Sequence, residues 1–357
     1  MKLLHVVGAR PNFMKLAPVH AALSLSGEFS QTIVHTGQHY DINLSDVFFQ
    51  QLELPLPTVS LNVGSGSHAQ QTAAIMSRIE PEIIKHKPEF AVLYGDINST
   101  LAASLVCAKL DIPIAHVEAG LRSGDRTMPE EINRIVTDQL STLHFTTSPE
   151  AEENLLREGI AQSAIHFAGN VMIDTLRALL PKAQPPEGVN LCDRFALLTL
   201  HRPSNVDTPS TLNSILTTIN KISTVIPIVF PVHPRTKSNI DKLGFSFLDT
   251  VTCIAPVGYL ECLKLQQKAT LVITDSGGIQ EETTALEIPC LTVRENTERP
   301  VTVTEGSNIL VGQDMDKLIQ YSQQIIDGQF KRGRIPEGWD GKAARRIASV
   351  FSDLSQR

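Results

Sequence analysis

Short apolar runs alternate with stretches of helical periodicity along nearly the whole chain. In the first half, strands are predicted at Leu3–Val7, Thr32–Thr36, Phe90–Tyr94, Ile112–Val117, Leu143–Thr147 and Ile165–Ala168. Helical patterns lie between them at Phe13–Leu25, His68–Lys85, Ser99–Leu110 and Glu130–Leu140. In the second half, strands are predicted at Ala196–Leu200, Ile226–Pro231, Val251–Ile254, Leu271–Thr274 and Cys290–Val293. Runs of four to six apolar residues without polar alternation suit strands buried on both faces. Their regular exchange with helices predicts an α/β fold with parallel sheets covered on both sides.

The stretch P-K-A-Q-P-P-E-G-V, between Leu180 and Val189, breaks this pattern with prolines, a glycine and charge. It reads as a linker between two Rossmann-like, doubly wound domains, 1–180 and 189–338, with a closing helical stretch at 339–357. Both halves open on a strand that ends in x-R-P, at Gly8-Ala9-Arg10-Pro11 and at Leu200-His201-Arg202-Pro203. In such sheets ligands bind at the carboxyl ends of the strands. Two domains of this kind predict a cleft that can close on a ligand.

Composition narrows the ligand. The 357 residues are 42% hydrophobic and 19% charged, with a net charge of −7. A chain of this kind is globular and has no basic field for nucleic acid or an anionic membrane. An anionic ligand has to be held by local donors. The five cysteines are scattered and show no C-x-x-C pair, so neither disulfides nor structural zinc are expected. Lys2 leads straight into a short strand, without the long apolar core of a signal peptide, and a cytoplasmic location is expected.

The stretch L-V-I-T-D-S-G-G-I-Q-E-E, from Leu271 to Glu282, supplies such donors. A buried strand, a tight turn and a helix start converge there, with Ser276 as the predicted N-cap and Ile279–Leu286 as the helix. Free backbone N–H groups and the helix dipole favour an anion such as a diphosphate. Gly277 and Gly278 leave room for it beside the backbone, and Glu281 or Glu282 stands one turn away, within reach of ribose hydroxyls. An ordinary βα turn that needs small residues would read the same. Arg10 and Lys15, at the start of the first helix, suit anion clamps. No G-x-G-x-x-G and no acid after the second strand are present, which argues against a nicotinamide cofactor. Gln38-His39-Tyr40-Asp41 is expected as a polar loop at the same rim, where a lone histidine is more often simply solvated. His201 can donate to a phosphate oxygen or protonate a leaving group, and Pro231-Val232-His233-Pro234-Arg235 is a further basic strand end.

A second cluster is acidic. Asp96 follows the strand ending at Tyr94, Glu118 lies in H-V-E-A-G-L-R, and Glu130 opens the helix of M-P-E-E-I-N-R. Carboxylates crowded at neighbouring strand ends raise one another's pKa, so one can give a proton while another takes one. A magnesium site is the alternative, though no D-x-D occurs. Plain N-capping by Glu130 and Glu131, with Arg122 and Arg134 neutralising the acids, would look the same.

Together these motifs resemble the non-hydrolysing UDP-N-acetylglucosamine 2-epimerases over most of the chain. The likeness rests on G-A-R-P, G-Q-H, G-D, H-V-E-A-G-L-R, P-E-E-I-N-R, H-R-P, T-D-S-G-G-I-Q-E-E and T-E-R-P. The resemblance implies the two-domain glycosyltransferase-B architecture, with the last helix crossing back onto the first domain, and a homodimer. It implies reversible C2 epimerisation of UDP-N-acetylglucosamine without NAD or metal, through loss of UDP to a glycal and its re-addition. By resemblance, Asp96, Glu118 and Glu130 are the acid/base carboxylates, with His201 close to the diphosphate. Arg10, Lys15, Ser276, Gly277, Gly278, Glu282 and Arg299 match nucleotide-binding positions. Ala9, Asn12, Tyr40 and Cys262 depart from many bacterial members. Relatives acting on UDP-2,3-diacetamido-glucuronate share G-A-R-P, G-Q-H-Y and P-V-H-P-R. A hydrolysing epimerase, a glycosyltransferase and a nucleotide-sugar sensor are the other classes compatible with these motifs.

Overall fold

The computed structural model describes residues 1–37, 49, 51–189 and 191–356, and only the backbone of Arg10. Backbone contacts divide the chain into two units. One comprises Met1–Thr175 with Glu337–Arg357, the other Leu176–Pro336.

The first unit runs β1 (Lys2–Val7), α1 (Arg10–Ser26), β2 (Ser30–His35), β3 (Val59–Ser60), α2 (His68–His86), β4 (Phe90–Tyr94) and α3 (Asn98–Lys109). It continues through β5 (Ile114–Ala119), α4 (Pro129–Leu140), β6 (Leu143–Thr146), α5 (Pro149–Arg157) and β7 (Ile165–Phe167) to α6 (Val171–Leu179), whose residues from Leu176 on belong to the second unit. Its seven strands are parallel, in the order β3-β2-β1-β4-β5-β6-β7. Order reverses between β1 and β4, so the ends of β1, β4 and β5 open at a topological switch point.

The second unit contains β8 (Ala196–Thr199), α7 (Pro203–Val206), α8 (Pro209–Ser223), β9 (Ile228–Pro231), α9 (Pro234–Leu243), β10 (Val251–Ile254) and α10 (Tyr259–Lys268). There follow β11 (Leu271–Thr274), α11 (Gly277–Ala285), β12 (Cys290–Thr292), α12 (Val301–Thr304), β13 (Asn308–Leu310) and α13 (Met315–Ile326). Its parallel order is β10-β9-β8-β11-β12-β13, with the switch between β8 and β11. The two faces of this sheet carry separate apolar clusters. Leu198, Ile215, Leu216, Phe230 and Ile273 share one, and Leu197, Val229, Leu265 and Val272 the other.

The predicted strands all form. Two more, β3 and β13, are added at sheet edges, where two or three residues give too little periodicity to read. The helix after Asp275 starts at Gly277, two residues earlier than its apolar pattern suggests. No helix among the described residues is long and apolar enough to cross a membrane.

The last helix, α14 (Ala343–Ser355), packs on α1 in the first unit. Phe351 is fully buried there among the rings of Phe29, Phe90 and Phe145. Asp174 of α6 caps its start, accepting the N–H groups of Ala343 at 3.1 Å and Ala344 at 2.8 Å. Just before it, Trp339 is buried and donates its indole N–H to the Thr147 carbonyl at 3.0 Å. Gly169 and Gly338 let two backbones touch, since a Cβ on Gly169 would lie 2.0 Å from the Gly338 carbonyl oxygen, at a φ of +84°.

Gly169→Ala should therefore cost about 2–4 kcal/mol of unfolding free energy in urea titration. Gly27→Ala, with φ of +69° but nothing within 4 Å of its Cβ, should cost about 1 kcal/mol. Equal losses would contradict the contact.

Asp174 yields a pH prediction. Burial pushes its carboxyl up to about 6, against the opposing pull of the Ala344 and Ala343 N–H groups. The folded value lies above that of the unfolded chain, so ionisation costs stability. That cost is absent below about pH 4 and complete above about pH 6. Relative to Asp174→Asn, the parent should gain up to about 3 kcal/mol as pH falls from 7 to 4. A gap that stays constant in urea titrations across this range would refute it.

Candidate active site

In the first unit, the site is built on the ends of β1, β4 and β5. After β1, the backbone N–H groups of Gly8 and Ala9 are accepted by Asn12 Oδ1 at 3.3 and 3.2 Å. Asn12 Nδ2 donates to the Tyr94 carbonyl at 2.7 Å, locking this turn to the end of β4. Asn12, read from sequence only as a departure from relatives, is thus a buried tie between two strand ends. Arg10 begins α1. Lys15, also on α1 and buried, points its ammonium at Glu118 Oε2 in an ion pair.

Glu118 stands at a local distortion. Strand β5 pairs Val117 with Phe145 and Ala119 with Thr146 of β6, so Glu118 is an extra residue in the ladder. Its φ is +75°, in the left-handed region that costs a non-glycine residue about 1–2 kcal/mol. Such bulges re-aim side chains at functional sites. The neighbouring Gly95 has φ of +62°, and a Cβ there would lie 2.6 Å from Lys15 Nζ and 2.9 Å from Glu118 Oε2. The ion pair lies against the bare Gly95 backbone.

Helix α4 carries the supports. Glu131, Arg134 and Asp138 recur at helical spacing and are all buried. Arg134 Nη1 meets Asp96 Oδ2 at 2.5 Å, and its Nη2 meets Glu131 Oε2 at 2.6 Å. Glu131 also accepts the Ser123 and Gly124 N–H groups at 3.0 and 2.9 Å. Burial pushes the Glu131 carboxyl up, but these N–H groups and Arg134 outweigh it and hold its pKa below the usual range. Asn133 Nδ2 fixes the Asp96 carbonyl at 2.8 Å. Glu130, by contrast, is half-buried, and its side chain has no hydrogen bond or ion pair among the described residues.

The structure thus brings Lys15 to Glu118, and Arg134 to Asp96. The carboxylates are not simply crowded, as their positions in sequence suggest. Cations from α1 and α4 are interleaved with them. Of the paired acids in P-E-E, the second is structural and the first is left open.

In the second unit, His201 and Arg202 follow β8, and Asp275 follows the adjacent β11. Asp275 is fully buried. It accepts the backbone N–H groups of His201, at 3.0 and 3.1 Å, and of Arg202, at 2.9 Å, and its Oδ1 lies 2.9 Å from His201 Nδ1. Burial raises its pKa, yet the His201 contacts and these N–H groups leave it below the ordinary value. Held at Nδ1, His201 is 44% exposed and keeps Nε2 for a ligand. Asp275 passes for turn chemistry in the sequence. The available signal is its position beside H-R-P, across the switch point.

Ser276 precedes α11, and its side chain makes no capping bond to the helix. A Cβ on Gly278 would meet nothing within 4 Å, so that backbone is open. Gly277 is different, because a Cβ there would meet Glu298 Oε1 at 2.9 Å and Arg299 Nη1 at 3.0 Å. Only the second glycine leaves free space. The first makes room for T-E-R-P. Arg299 is held by Glu281 at 2.8 Å and by Glu298, which also pairs with Arg294 at 2.8 Å. Glu282 is buried, with the Tyr259 hydroxyl 2.9 Å from Oε1 and Gln266 Nε2 2.6 Å from Oε2. Sequence reading missed both donors. A carboxylate oxygen can accept more than one hydrogen bond, so a ribose hydroxyl can add to these donors. The Gln38–Asp41 loop lies outside the described residues. Among those described, no group of three His, Cys, Asp or Glu side chains is arranged to hold a metal.

A sequence model of UDP-N-acetylglucosamine 2-epimerases matches residues 21–352. The chain belongs to the UDP-N-acetylglucosamine 2-epimerase family. Membership makes it an epimerase. It is 43% identical to a UDP-N-acetylglucosamine 2-epimerase of Methanocaldococcus jannaschii, over 99% of each chain. It is also 43% identical to the UDP-2,3-diacetamido-2,3-dideoxy-D-glucuronate 2-epimerase of Pseudomonas aeruginosa, over 99% of this chain and all of the other. Among solved structures, the M. jannaschii enzyme in complex with UDP-GlcNAc and UDP superposes with a TM-score of 0.90 at 42% identity, covering 99% of this chain and 100% of that one. A lipopolysaccharide outer core galactosyltransferase shares only the fold, with a TM-score of 0.57 at 13% identity, over 99% of this chain and 100% of that one. The α/β class and glycosyltransferase-B architecture expected from sequence are those found.

In this epimerase, Lys15→Met strands the Glu118 carboxylate in a buried position. It should cost about 3–5 kcal/mol in denaturant titration. The double change Lys15→Met/Glu118→Gln should recover at least half of that loss. No recovery would mean that the ion pair is not what stabilises the turn.

Proposed function

We propose that the chain interconverts UDP-N-acetylglucosamine and UDP-N-acetylmannosamine. The C2 hydrogen is not next to a carbonyl, so deprotonation alone is too difficult. A carboxylate of the first unit takes the C2 proton while the C1–oxygen bond breaks. UDP leaves with the electron pair, and a C1–C2 double bond forms. UDP then adds back to C1 as a proton is delivered to the opposite face of C2. Asp96, Glu118 and Glu130 serve as the acid/base set. His201, with the amino end of α11 at Ser276, Gly277 and Gly278, stabilises charge on the departing diphosphate. Arg10, Lys15 and Arg299 complete the polar surroundings, and Glu282 takes the ribose. The same reading gives a cytoplasmic homodimer that uses neither NAD nor metal.

The observation that carries this reading is Glu118, held by Lys15 at a left-handed bulge beside the Arg134-bound Asp96. Binding alone does not call for acids held at such cost. A C2 epimerase of UDP-2,3-diacetamido-glucuronate is the second reading, favoured by the equal identity to the Pseudomonas enzyme.

Incubation with UDP-N-acetylglucosamine in deuterated water should place deuterium at C2 and yield both UDP-sugars with only slight UDP release. Asp96→Asn and Glu118→Gln should each lose exchange by at least about 100-fold while binding UDP as the parent does. Stoichiometric UDP with free N-acetylmannosamine would mean a hydrolysing epimerase. Exchange confined to the diacetamido-glucuronate would select the second reading. Full activity in both variants would remove these acids from the mechanism.

A further inference from the structure

His116 and Asp138 have no part in the chemistry above, yet both are ionisable and fully buried beneath the acids. His116 lies on β5, two residues before Glu118. Its Nε2 is 2.8 Å from the Gly95 carbonyl oxygen, a pure acceptor, so this nitrogen carries a proton. Its Nδ1 is 2.6 Å from Asp138 Oδ1. The other Asp138 oxygen accepts the Gly120 N–H at 3.1 Å and lies 2.8 Å from Arg122 Nη1. Burial pushes this carboxyl up, but His116 and Arg122 hold its pKa below the ordinary value, and the Gly120 and Arg122 donors on Oδ2 favour the ionised form independently of His116. An ionised carboxylate only accepts, so Nδ1 is placed to donate as well.

The other charged neighbours do not change this. His144 of β6, opposite His116 in the ladder, gives Nε2 to the Asp138 carbonyl at 2.8 Å and faces the Ala164 carbonyl with Nδ1. Arg122 is shared with Glu158, Glu118 is taken by Lys15, and the Tyr94 hydroxyl on β4 meets His5.

We propose that His116 and Asp138 form a permanent imidazolium–carboxylate pair that positions the acid/base carboxylates. This rests on the epimerase reading of the same site. The imidazolium grips the Gly95 carbonyl with a charge-assisted hydrogen bond. Gly95 opens the turn that presents Asp96, and its bare backbone lies against the Lys15 and Glu118 head groups. One ring thus fixes the seat of two acids. Without its second proton, a ring nitrogen would face an acceptor with a lone pair, and that seat would loosen.

Two measurements test the pair. In the parent chain with 15N-labelled histidine, the His116 signals, assigned by their loss in His116→Gln, should show both nitrogens protonated at pH 8. One unprotonated ring nitrogen there would overturn the proposal. In Asp138→Asn, the alkaline limb of the kcat profile for C2 epimerisation should move to lower pH by at least about one unit, with KM unchanged. A parental pH profile, or a loss confined to KM, would overturn it as well. The nitrogen signals decide the pair even if Asp138→Asn does not fold. They also decide it if the parent lacks exchange, a result that would sink the epimerase reading alone.

Discussion

A buried carboxylate stays ionised only when donors surround it, and each unit is organised around one that does. Asp138 gathers His116, Gly120 N–H and Arg122. Asp275 gathers the N–H groups of His201 and Arg202, the His201 ring and Asn205 Nδ2. The donors to Asp138 lie on β5 and the turn after it, and those to Asp275 on the turn after β8 and on α7. The desolvation cost of the anion ties loop geometry to the sheet, because no donor can leave without stranding charge. Asp96 sits on the turn after β4 that His116 grips at Gly95, and His201 on the turn after β8 that Asp275 holds.

This arrangement separates two kinds of charged residue. Glu131, Asp138 and Asp275 are fully engaged and have depressed pKa values, so they do not exchange protons near neutral pH. Glu130 is half-buried and unpaired among the described residues, and Asp96 and Glu118 each have a cation close by. A group that must take and return a proton needs a counter-charge at hand, and the lysine or arginine head group provides it. The strained backbone at Glu118 belongs to the same design. A regular strand would send this side chain along the pleat, whereas the bulge turns it toward Lys15.

Much of this architecture could be read in the sequence, because strands buried on both faces leave uninterrupted apolar runs. Strands β3 and β13 leave no such run, since an edge position needs only two or three residues, and both went unread. The chemistry of G-A-R-P, H-R-P and S-G-G was legible because small or rigid residues flank it. The supports were not. In I-A-H-V-E-A nothing betrays the bulge at Glu118, since the extra residue shows only against the register of β6. Asp138 looks like a polar position near a helix end, and Tyr259 and Gln266 look like ordinary α10 residues until they meet Glu282. A partner distant in sequence leaves no local trace.

The second unit also answers how a chain of net charge −7 can attract an anion. The two arginines of R-E-N-T-E-R-P are paired with acids. Arg294, Glu298, Arg299 and Glu281 form an alternating chain whose charges cancel. The amino end of α11 is open instead: the Gly278 backbone has free space, and Ser276 leaves the helix N–H groups uncapped by its side chain. The attraction therefore falls to oriented peptide dipoles and to His201, not to net charge. Donors fixed to the backbone in this way keep their orientation when an anion leaves. A diphosphate that must depart from a sugar and return to it needs such a holder.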